Sequence, residues 1–184
     1  MKAYLRTFGC RANQYDTEAV RAMILAGGGT IVETTAEADV AVFNSCAVTS
    51  EAEADLRQAV RREAYGDRTS GRVRRTPLRT IVMGCASARD DGTIAALPGV
   101  SDVIAGADLP ALASSLGLDP SLARARSGAQ TGARALLRIQ DGCDEHSTFC
   151  ATTLARGVHR SRPVDELVRE AIALSEHHPE IVIT

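Results

Sequence analysis

Five cysteines are the residues of this 184-residue chain best suited to chemistry, and three of them occur in the same local context. Cys10 follows Y-L-R-T-F-G, Cys46 follows V-A-V-F-N-S and Cys85 follows T-I-V-M-G, so each comes after an apolar run and a short turn. Thiolates bind zinc and iron–sulfur clusters, but a cysteine at a strand end can also be a small buried hydrophobic residue. No histidine precedes His146, so a zinc site of cysteine and histidine is not supported in the first 145 residues.

The other two cysteines, Cys143 and Cys150, stand seven residues apart in the stretch C-D-E-H-S-T-F-C. This spacing has two interpretations: a metal site that lacks one ligand, or two cysteines that are close by chance. The neighbouring His146 could in principle ligate, but its side chain would leave the loop in a different direction. An odd number of cysteines in a reducing compartment argues against a disulfide framework.

The elements that must position the first three cysteines alternate between strands and helices, which predicts an open, mostly parallel α/β sheet. In such a sheet the carboxyl ends of the strands lie along one edge, where ligands bind. Cys10, Cys46 and Cys85, spaced 36 and 39 residues apart, are therefore expected to converge there. The predicted strands are 3–8, 30–33, 38–44, 79–84 and 100–106, and the predicted helices are 14–26, 51–65, 90–97 and 109–116.

The composition changes after residue 117, which predicts a domain boundary. Residues 118–134 are rich in Gly, Pro, Ser and Arg, and they predict a linker between a first domain at 1–117 and a second at 135–184. The second part predicts a strand at 135–140, a helix at 163–177 and a closing strand. A single strand–helix–strand unit leaves its edges and apolar faces uncovered, so we expect a fragment of a longer protein or a chain that lost its continuation.

The charge and hydropathy of the sequence indicate which partners and which cellular location to expect. The net charge of −2 implies no general attraction to nucleic acid or membranes, and we expect neither DNA nor a membrane as a partner. The N-terminus has no signal-peptide pattern and no apolar run reaches the ~18 residues of a membrane span, which predicts a cytoplasmic protein. A local arginine patch could hold phosphates, or could be a solvated helix face. Its members are Arg57, Arg61, Arg62, Arg68, Arg72, Arg74, Arg75 and Arg79.

The motifs around the cysteines, taken together, resemble one family over nearly the whole chain. F-G-C-R-A-N-Q-Y-D-T-E, N-S-C-A-V-T-S-E-A-E and V-M-G-C-A resemble the N-terminal domain of the radical S-adenosylmethionine methylthiotransferases. R-I-Q-D-G-C-D-E-H-S-T-F-C-A-T-T-L-A-R-G-V-H-R-S-R is similar to the start of that family's radical-SAM domain. The resemblance implies a flavodoxin-like sheet followed by the first strand–helix–strand of a partial barrel.

The resemblance also implies cofactors and site residues. Cys10, Cys46 and Cys85 would hold an auxiliary [4Fe–4S] cluster that carries or receives the sulfur. Cys143, position 147 and Cys150 would hold a second [4Fe–4S] cluster, whose open iron binds S-adenosylmethionine to generate a 5′-deoxyadenosyl radical. That radical activates a C–H bond to which a methylthio group is added. Phe149 would pack near the adenine of the cofactor.

Ser147 departs from the family pattern, because the family has its middle cluster cysteine there. A serine hydroxyl stays protonated near neutral pH and is a poor ligand for iron. We therefore expect the second cluster site to be defective and this chain alone to lack radical chemistry.

The substrate expected from the resemblance is tRNA. The motif C-R-A-N-Q-Y-D-T-E is most similar to the branch that methylthiolates N6-threonylcarbamoyladenosine beside the anticodon. Another branch of the family modifies an aspartate of a ribosomal protein. The family also requires a sulfur donor and an electron donor, whose identities the sequence leaves open. Two alternatives remain: a non-catalytic iron–sulfur binding module, and a flavodoxin-like nucleotide-binding domain with incidental cysteines. F-G-C-R-A-N-Q lacks the glycine pattern of a dinucleotide loop, which weighs against the latter.

Overall fold

The computed structural model describes residues 1–47, 50–65, 77–126, 128–145 and 152–184. Its first part is a five-stranded parallel sheet in the order β2-β1-β3-β4-β5, which is the flavodoxin-like order. The expected open α/β sheet is confirmed. Its strands are β1 (Lys2–Phe8), β2 (Thr30–Ile31), β3 (Val40–Ser45), β4 (Arg79–Gly84) and β5 (Val100–Ala105).

Strand β3 has apolar side chains on both of its faces because helices cover both sides of the sheet. The helices of the first part are α1 (Arg11–Ala26), α2 (Ser50–Tyr65) and α3 (Leu109–Leu116). Val40 and Val42 pack with α1 and α3, whereas Ala41 and Phe43 pack with α2 on the opposite face. This is why residues 38–44 form a nearly continuous apolar run.

The second part is a smaller parallel unit. Strands β6 (Ala135–Leu137) and β9 (Ile181–Ile183) pair in parallel, and helix α5 (Val164–Ser175) packs on them through Leu174. Between β6 and α5 lie the short helix α4 (Thr152–Arg156) and an antiparallel pair of two-residue strands. These short strands are β7 (Gln140–Asp141) and β8 (Arg160–Ser161). The strand–helix–strand unit expected at the start of the second domain is therefore present.

The helix predicted at 90–97 is wrong. Residues 87–89 form one turn of 3₁₀ helix, and irregular turns follow up to residue 99. Gly92 has a left-handed φ of 98°, which interrupts any continuous helix, and the Asp90 carboxylate accepts a hydrogen bond from the amide of Ile94. The apolar side chains of Ile94 and Leu97 are buried by these turns instead.

Residues of the predicted linker are partly built into the first core. Pro120–Arg124 forms a 3₁₀ helix, and Leu122 and Ala123 pack on the core formed by α1 and α3. The division into two domains remains a prediction.

No helix in the described part of the chain is long and apolar enough to cross a membrane.

Candidate functional site

Three adjacent strands end at the same level, and a cysteine follows each of them. Phe8 of β1 is in register with Ser45 of β3, and Ser45 is in register with Gly84 of β4. Cys10, Cys46 and Cys85 consequently line a single cavity of about 150 Å³ at the carboxyl edge of the sheet. We call this space the cysteine cavity; its other lining residues include Ala12, Ala47, Arg138, Gln140, Asp141, Gly142, Ala155, Arg156 and Thr184.

Two glycines allow neighbouring strand ends to lie close together around the cysteine cavity. A Cβ atom on Gly84 would overlap Oδ1 of Asn44, and Gly84 also has a left-handed φ of 99°. A Cβ atom on Gly9 would lie 2.7 Å from the Cβ of Cys46. Both turns thus require glycine immediately before a cysteine, because a side chain would push the neighbouring strand end away.

A buried pair of amides fixes the position of the loop that carries Cys10. Nδ2 of Asn13 donates to Oδ1 of Asn44 at 2.9 Å, and Nδ2 of Asn44 donates to the carbonyl oxygen of Asn13 at 2.8 Å. The thiol of Cys10 donates to Oδ1 of Asn13 at 3.3 Å. The sequence reasoning missed both asparagines, although a polar residue within the apolar run V-A-V-F-N-S was a usable signal.

The three cysteines differ in exposure. Cys10 is exposed, whereas Cys46 and Cys85 are buried. Burial raises the pKa of the Cys85 thiol above its ordinary value, and the nearby Arg156 guanidinium opposes this effect. The cavity therefore has one side open to solvent and a positive charge beside one of its buried sulfurs.

Buried charges from both parts of the chain meet beside the cysteine cavity. Asp16 of α1 lies 2.6 Å from Nη1 of Arg138 and 2.8 Å from Nη2 of Arg156. Asp141 lies 3.0 Å from Nη1 of Arg156. We call Asp16, Arg138, Asp141 and Arg156 the Asp16 cluster. Its side chains are mostly buried, with exposed fractions of 3% for Asp16, 8% for Arg138 and 7% for Arg156. The sequence reasoning did not identify these residues, since partners so distant in sequence give no local pattern.

Cys143 lies beside the cysteine cavity rather than in its described lining, which includes the preceding Gly142. Its backbone amide donates to the carbonyl oxygen of Gly157 at 3.1 Å, and its sulfur accepts a hydrogen bond from the amide of Glu145 at 3.4 Å. The predicted site residues Phe149 and Cys150, together with His146 and Ser147, lie outside the described residues.

The cysteine cavity has three thiols in its lining, and the carboxylate of Asp141, which also lines it, is paired with Arg156. Within the described ranges, no three His, Cys, Asp or Glu side chains form a group that could hold a metal ion. A [4Fe–4S] cluster differs from a single ion because each thiolate binds a different iron atom. Three thiols around one cavity therefore fit a multi-iron cluster better than a single zinc ion.

The arginine patch predicted around α2 is largely ion-paired where it is described. Arg57 pairs with Glu53, Arg62 pairs with Glu63, and Arg79 pairs with Asp102. This arrangement favours the solvated helix face over a free phosphate site for these three residues. Arg68, Arg72, Arg74 and Arg75 lie outside the described residues.

Comparison with known proteins supports the family resemblance. Residues 2–106 match the family described as "Uncharacterized protein family UPF0004". A tRNA-2-methylthio-N(6)-dimethylallyladenosine synthase of Sorangium cellulosum is 29% identical over 92% of this chain and 38% of its own length. The Threonylcarbamoyladenosine tRNA methylthiotransferase MtaB of Bacillus subtilis is 30% identical over 97% of this chain and 42% of its own length.

A third relative has a different named substrate. The Ribosomal protein uS12 methylthiotransferase RimO of Chlorobium phaeovibrioides is 30% identical over 95% of this chain and 40% of its own length. The chain thus spans about two fifths of the length of the curated relatives that it matches. With a UPF0004 match over more than half of its residues and relatives named in this way, the chain belongs to the methylthiotransferase family.

Proposed function

We propose that this chain is the cluster-carrying part of a cytoplasmic tRNA methylthiotransferase. The observation that carries the proposal is the convergence of Cys10, Cys46 and Cys85 on one cavity at the carboxyl edge of a parallel sheet. In this proposal the three thiolates hold an auxiliary [4Fe–4S] cluster. When bound, that cluster supplies the sulfur of the methylthio group.

The residues of the chain would determine the shape of this centre and its exposure to solvent. Cys46 and Cys85 would anchor it from the buried side, and the exposed Cys10 would hold it from the side nearer to solvent. The hydrogen bonds between Asn13 and Asn44 would fix the turn that presents the Cys10 sulfur to the cluster. The three cysteines would hold three of the four irons of a [4Fe–4S] cluster.

The second part of the proposal concerns the segment with Cys143 and Cys150. This segment would be the S-adenosylmethionine cluster loop of the family, with Phe149 beside the adenine. Ser147 deprives the loop of its middle thiolate, so we propose that radical chemistry is impaired in this chain.

The proposed substrate is a modified adenosine next to the tRNA anticodon, methylthiolated at C2, with N6-threonylcarbamoyladenosine as the specific candidate. The relatives named for two tRNA substrates and for a ribosomal protein have similar identities, between 29% and 30%. The choice of branch therefore rests on the motif C-R-A-N-Q-Y-D-T-E. A methylthiotransferase acting on a ribosomal protein is the second candidate, which the uS12 relative favours.

Anaerobic reconstitution with ferrous iron and sulfide tests the cluster assignment. We expect about four irons per chain and brown protein with a thiolate-to-iron charge-transfer band. Cys10→Ser, Cys46→Ser and Cys85→Ser should each reduce the iron content, and Cys143→Ser should leave it unchanged. A colourless wild-type protein without bound iron would contradict the assignment.

Restoration of the missing thiol tests the proposed impairment. Ser147→Cys should raise the iron content from about four to about eight per chain, because it completes the second set of three cysteines. If wild-type protein already binds about eight irons, or forms 5′-deoxyadenosine from S-adenosylmethionine, the impairment proposal is wrong.

The substrate proposal requires a longer protein. Ser147→Cys in a fusion of this chain to the remaining part of the Bacillus subtilis relative can be expressed in cells that lack methylthiotransferases. Mass spectrometry of tRNA nucleosides should then show methylthiolated threonylcarbamoyladenosine. Modification of ribosomal protein uS12 instead would support the second candidate, and iron binding without either product would support a non-catalytic module.

A further inference from the structure

Helix α4 lies between the cysteine cavity and the loop that contains Cys143. On one side, Ala155 packs into the core that contains Phe8 and Cys85. On the other side, Oγ1 of Thr153 donates to the carbonyl oxygen of Glu145 at 3.3 Å. The carbonyl of the residue immediately after α4 accepts the Cys143 amide. A displacement of α4 would therefore disturb both sites.

Arg156, the last residue of α4, has a side chain held in one orientation by two carboxylates. Its Nη2 atom lies 2.8 Å from Oδ2 of Asp16, and its Nη1 atom lies 3.0 Å from Oδ1 of Asp141. Burial lowers the pKa of this guanidinium, but attraction to Asp16 and hydrogen bonds to Asp16 and Asp141 raise it above its ordinary value. The group is therefore a permanent, fixed positive charge.

The fixed guanidinium of Arg156 is part of the lining of the cysteine cavity. Guanidinium has five N–H donors, and the two ion pairs engage one on each terminal nitrogen, so donors remain for a group in the cavity. Arg138 also lines the cavity, but the guanidinium that acts on the pKa of the Cys85 thiol, through its charge and a hydrogen bond, is that of Arg156. Arg156 is thus the better placed of the two to act on Cys85.

We propose that Arg156 is a positioning residue of the centre at Cys10, Cys46 and Cys85. Its guanidinium presents positive charge and N–H donors to the sulfur atom of Cys85. The inference rests on the proposed cluster. Hydrogen bonds to sulfur and nearby positive charge both favour the reduced form of an iron–sulfur cluster, because reduction adds negative charge. Asp16 would orient the guanidinium and make its position depend on α1.

A purely structural role is the alternative, in which Arg156 only neutralises Asp16 and Asp141. Both roles predict that the loss of Arg156 destabilises the fold. Only the proposed role predicts a change in the reduction potential of the centre, so the potential is the measurement that distinguishes them.

The test compares wild type, Arg156→Gln, Arg156→Lys and the control Arg160→Gln, all reconstituted with iron and sulfide. Arg160 is a matched control because it also approaches Asp141, at 3.9 Å, but is exposed and does not belong to the described cavity lining. An EPR-monitored redox titration gives the midpoint potential of each protein. We expect a more negative potential for Arg156→Gln, a smaller shift in the same direction for Arg156→Lys, and no shift for Arg160→Gln.

The possible failures are distinguishable. If wild type binds no iron, the proposed function itself is wrong, and this inference is wrong with it. If wild type and Arg156→Gln both bind about four irons with the same potential and EPR spectrum, the cluster stands and the role of Arg156 is overturned. If Arg156→Gln does not fold, Arg156→Lys decides: a negative shift supports the inference, and an unchanged potential overturns it.

Discussion

Asp16 and Arg156 form a buried ion pair across 2.8 Å although they are 140 residues apart in the sequence. Asp16 belongs to the first helix of the chain, and Arg156 ends the short helix beside Cys143. Arg138, directly after β6, approaches the same carboxylate. The attachment of the second part of the chain to the first is therefore largely ionic at this point, and it lies against the cysteine cavity.

Removal of the Asp16 charge should be strongly destabilising. Asp16→Asn keeps the shape of the side chain but leaves the buried guanidiniums of Arg138 and Arg156 with less opposite charge. We expect a loss of about 3 kcal/mol or more in the free energy of unfolding, measured by urea denaturation. Asp165→Asn, which breaks an exposed pair with Arg169, should change it by only about 0.5 kcal/mol. Equal losses in the two variants would contradict the importance of the buried pair.

The turn before Cys85 should tolerate no side chain. Gly84→Ala would place Cβ against Asn44 in addition to the backbone strain of a left-handed φ. Gly92→Ala is the matched control, because Gly92 has nearly the same φ, 98° against 99°, but no atom in the described part of the chain lies within 4 Å of its added Cβ. We expect about 1–2 kcal/mol of destabilisation for Gly92→Ala and a clearly larger loss for Gly84→Ala.

Urea denaturation of the two glycine variants gives the comparison directly. The difference between the two losses in unfolding free energy measures the clash of the added methyl group at residue 84 with β3, because both variants share the backbone strain. Similar losses would show that β3 moves freely enough to admit a methyl group, and the close approach would then have no consequence.

The asparagine pair should be required for both stability and cluster binding. Asn13→Ala leaves Oδ1 of the buried Asn44 without its donor from Asn13 and removes a side chain that fixes the turn carrying Cys10. We expect a loss of about 1–3 kcal/mol in unfolding free energy and a reduced iron content after reconstitution.

A serine on α3 provides the control for the asparagine variant. Ser114→Ala removes an exposed hydroxyl that donates to the carbonyl of Pro110 in its own helix, and Ser114 does not belong to the described cavity lining. This variant should change neither the unfolding free energy nor the iron content appreciably. Full iron content in folded Asn13→Ala would show that Cys10 needs no support from Asn13.

Tyr15 should make stability depend on pH in the alkaline range. Burial, followed by the charge of Glu170, raises its pKa above the ordinary value of 10.0. The unfolded chain then ionises first as pH rises, so Tyr15 contributes stability below about pH 10 that is lost as pH rises through its folded pKa. Tyr15→Phe should have a flatter stability profile above about pH 10, measured by urea denaturation at a series of pH values. A profile that falls as steeply as that of wild type would assign the dependence to another group.

Strand positions were predictable because both faces of the sheet are covered and the apolar runs are correspondingly continuous. The placement of Cys10, Cys46 and Cys85 followed from the parallel direction of the strands, and the register of their ends puts all three on one cavity. The helix predicted at 90–97 is wrong because Gly92 has a left-handed φ, and turns bury Ile94 and Leu97 there instead. Helix α1 begins at Arg11 rather than at residue 14, directly after Cys10.

The polar part of the site was not predictable from local pattern. Asp16 and Arg138 come from segments that are far apart in the sequence and meet only in the folded structure. An aspartate or arginine considered alone in the sequence is expected on the surface, and only its partner makes burial favourable. The ion pair between Arg156 and Asp141 likewise depends on the path of the chain, which comes back to Asp141 at the end of α4.

The two cores of the chain differ in size, and this has a consequence for motion. The β6–β9 unit is centred on Ala135, Leu137 and Leu174, whereas each face of the large sheet buries many more side chains. A two-stranded unit with so little interior opens by local unfolding more often than a five-stranded sheet. Amide protons of β6 and β9 should therefore exchange with deuterium well before those of β3 and β4, at openings that leave the large sheet closed.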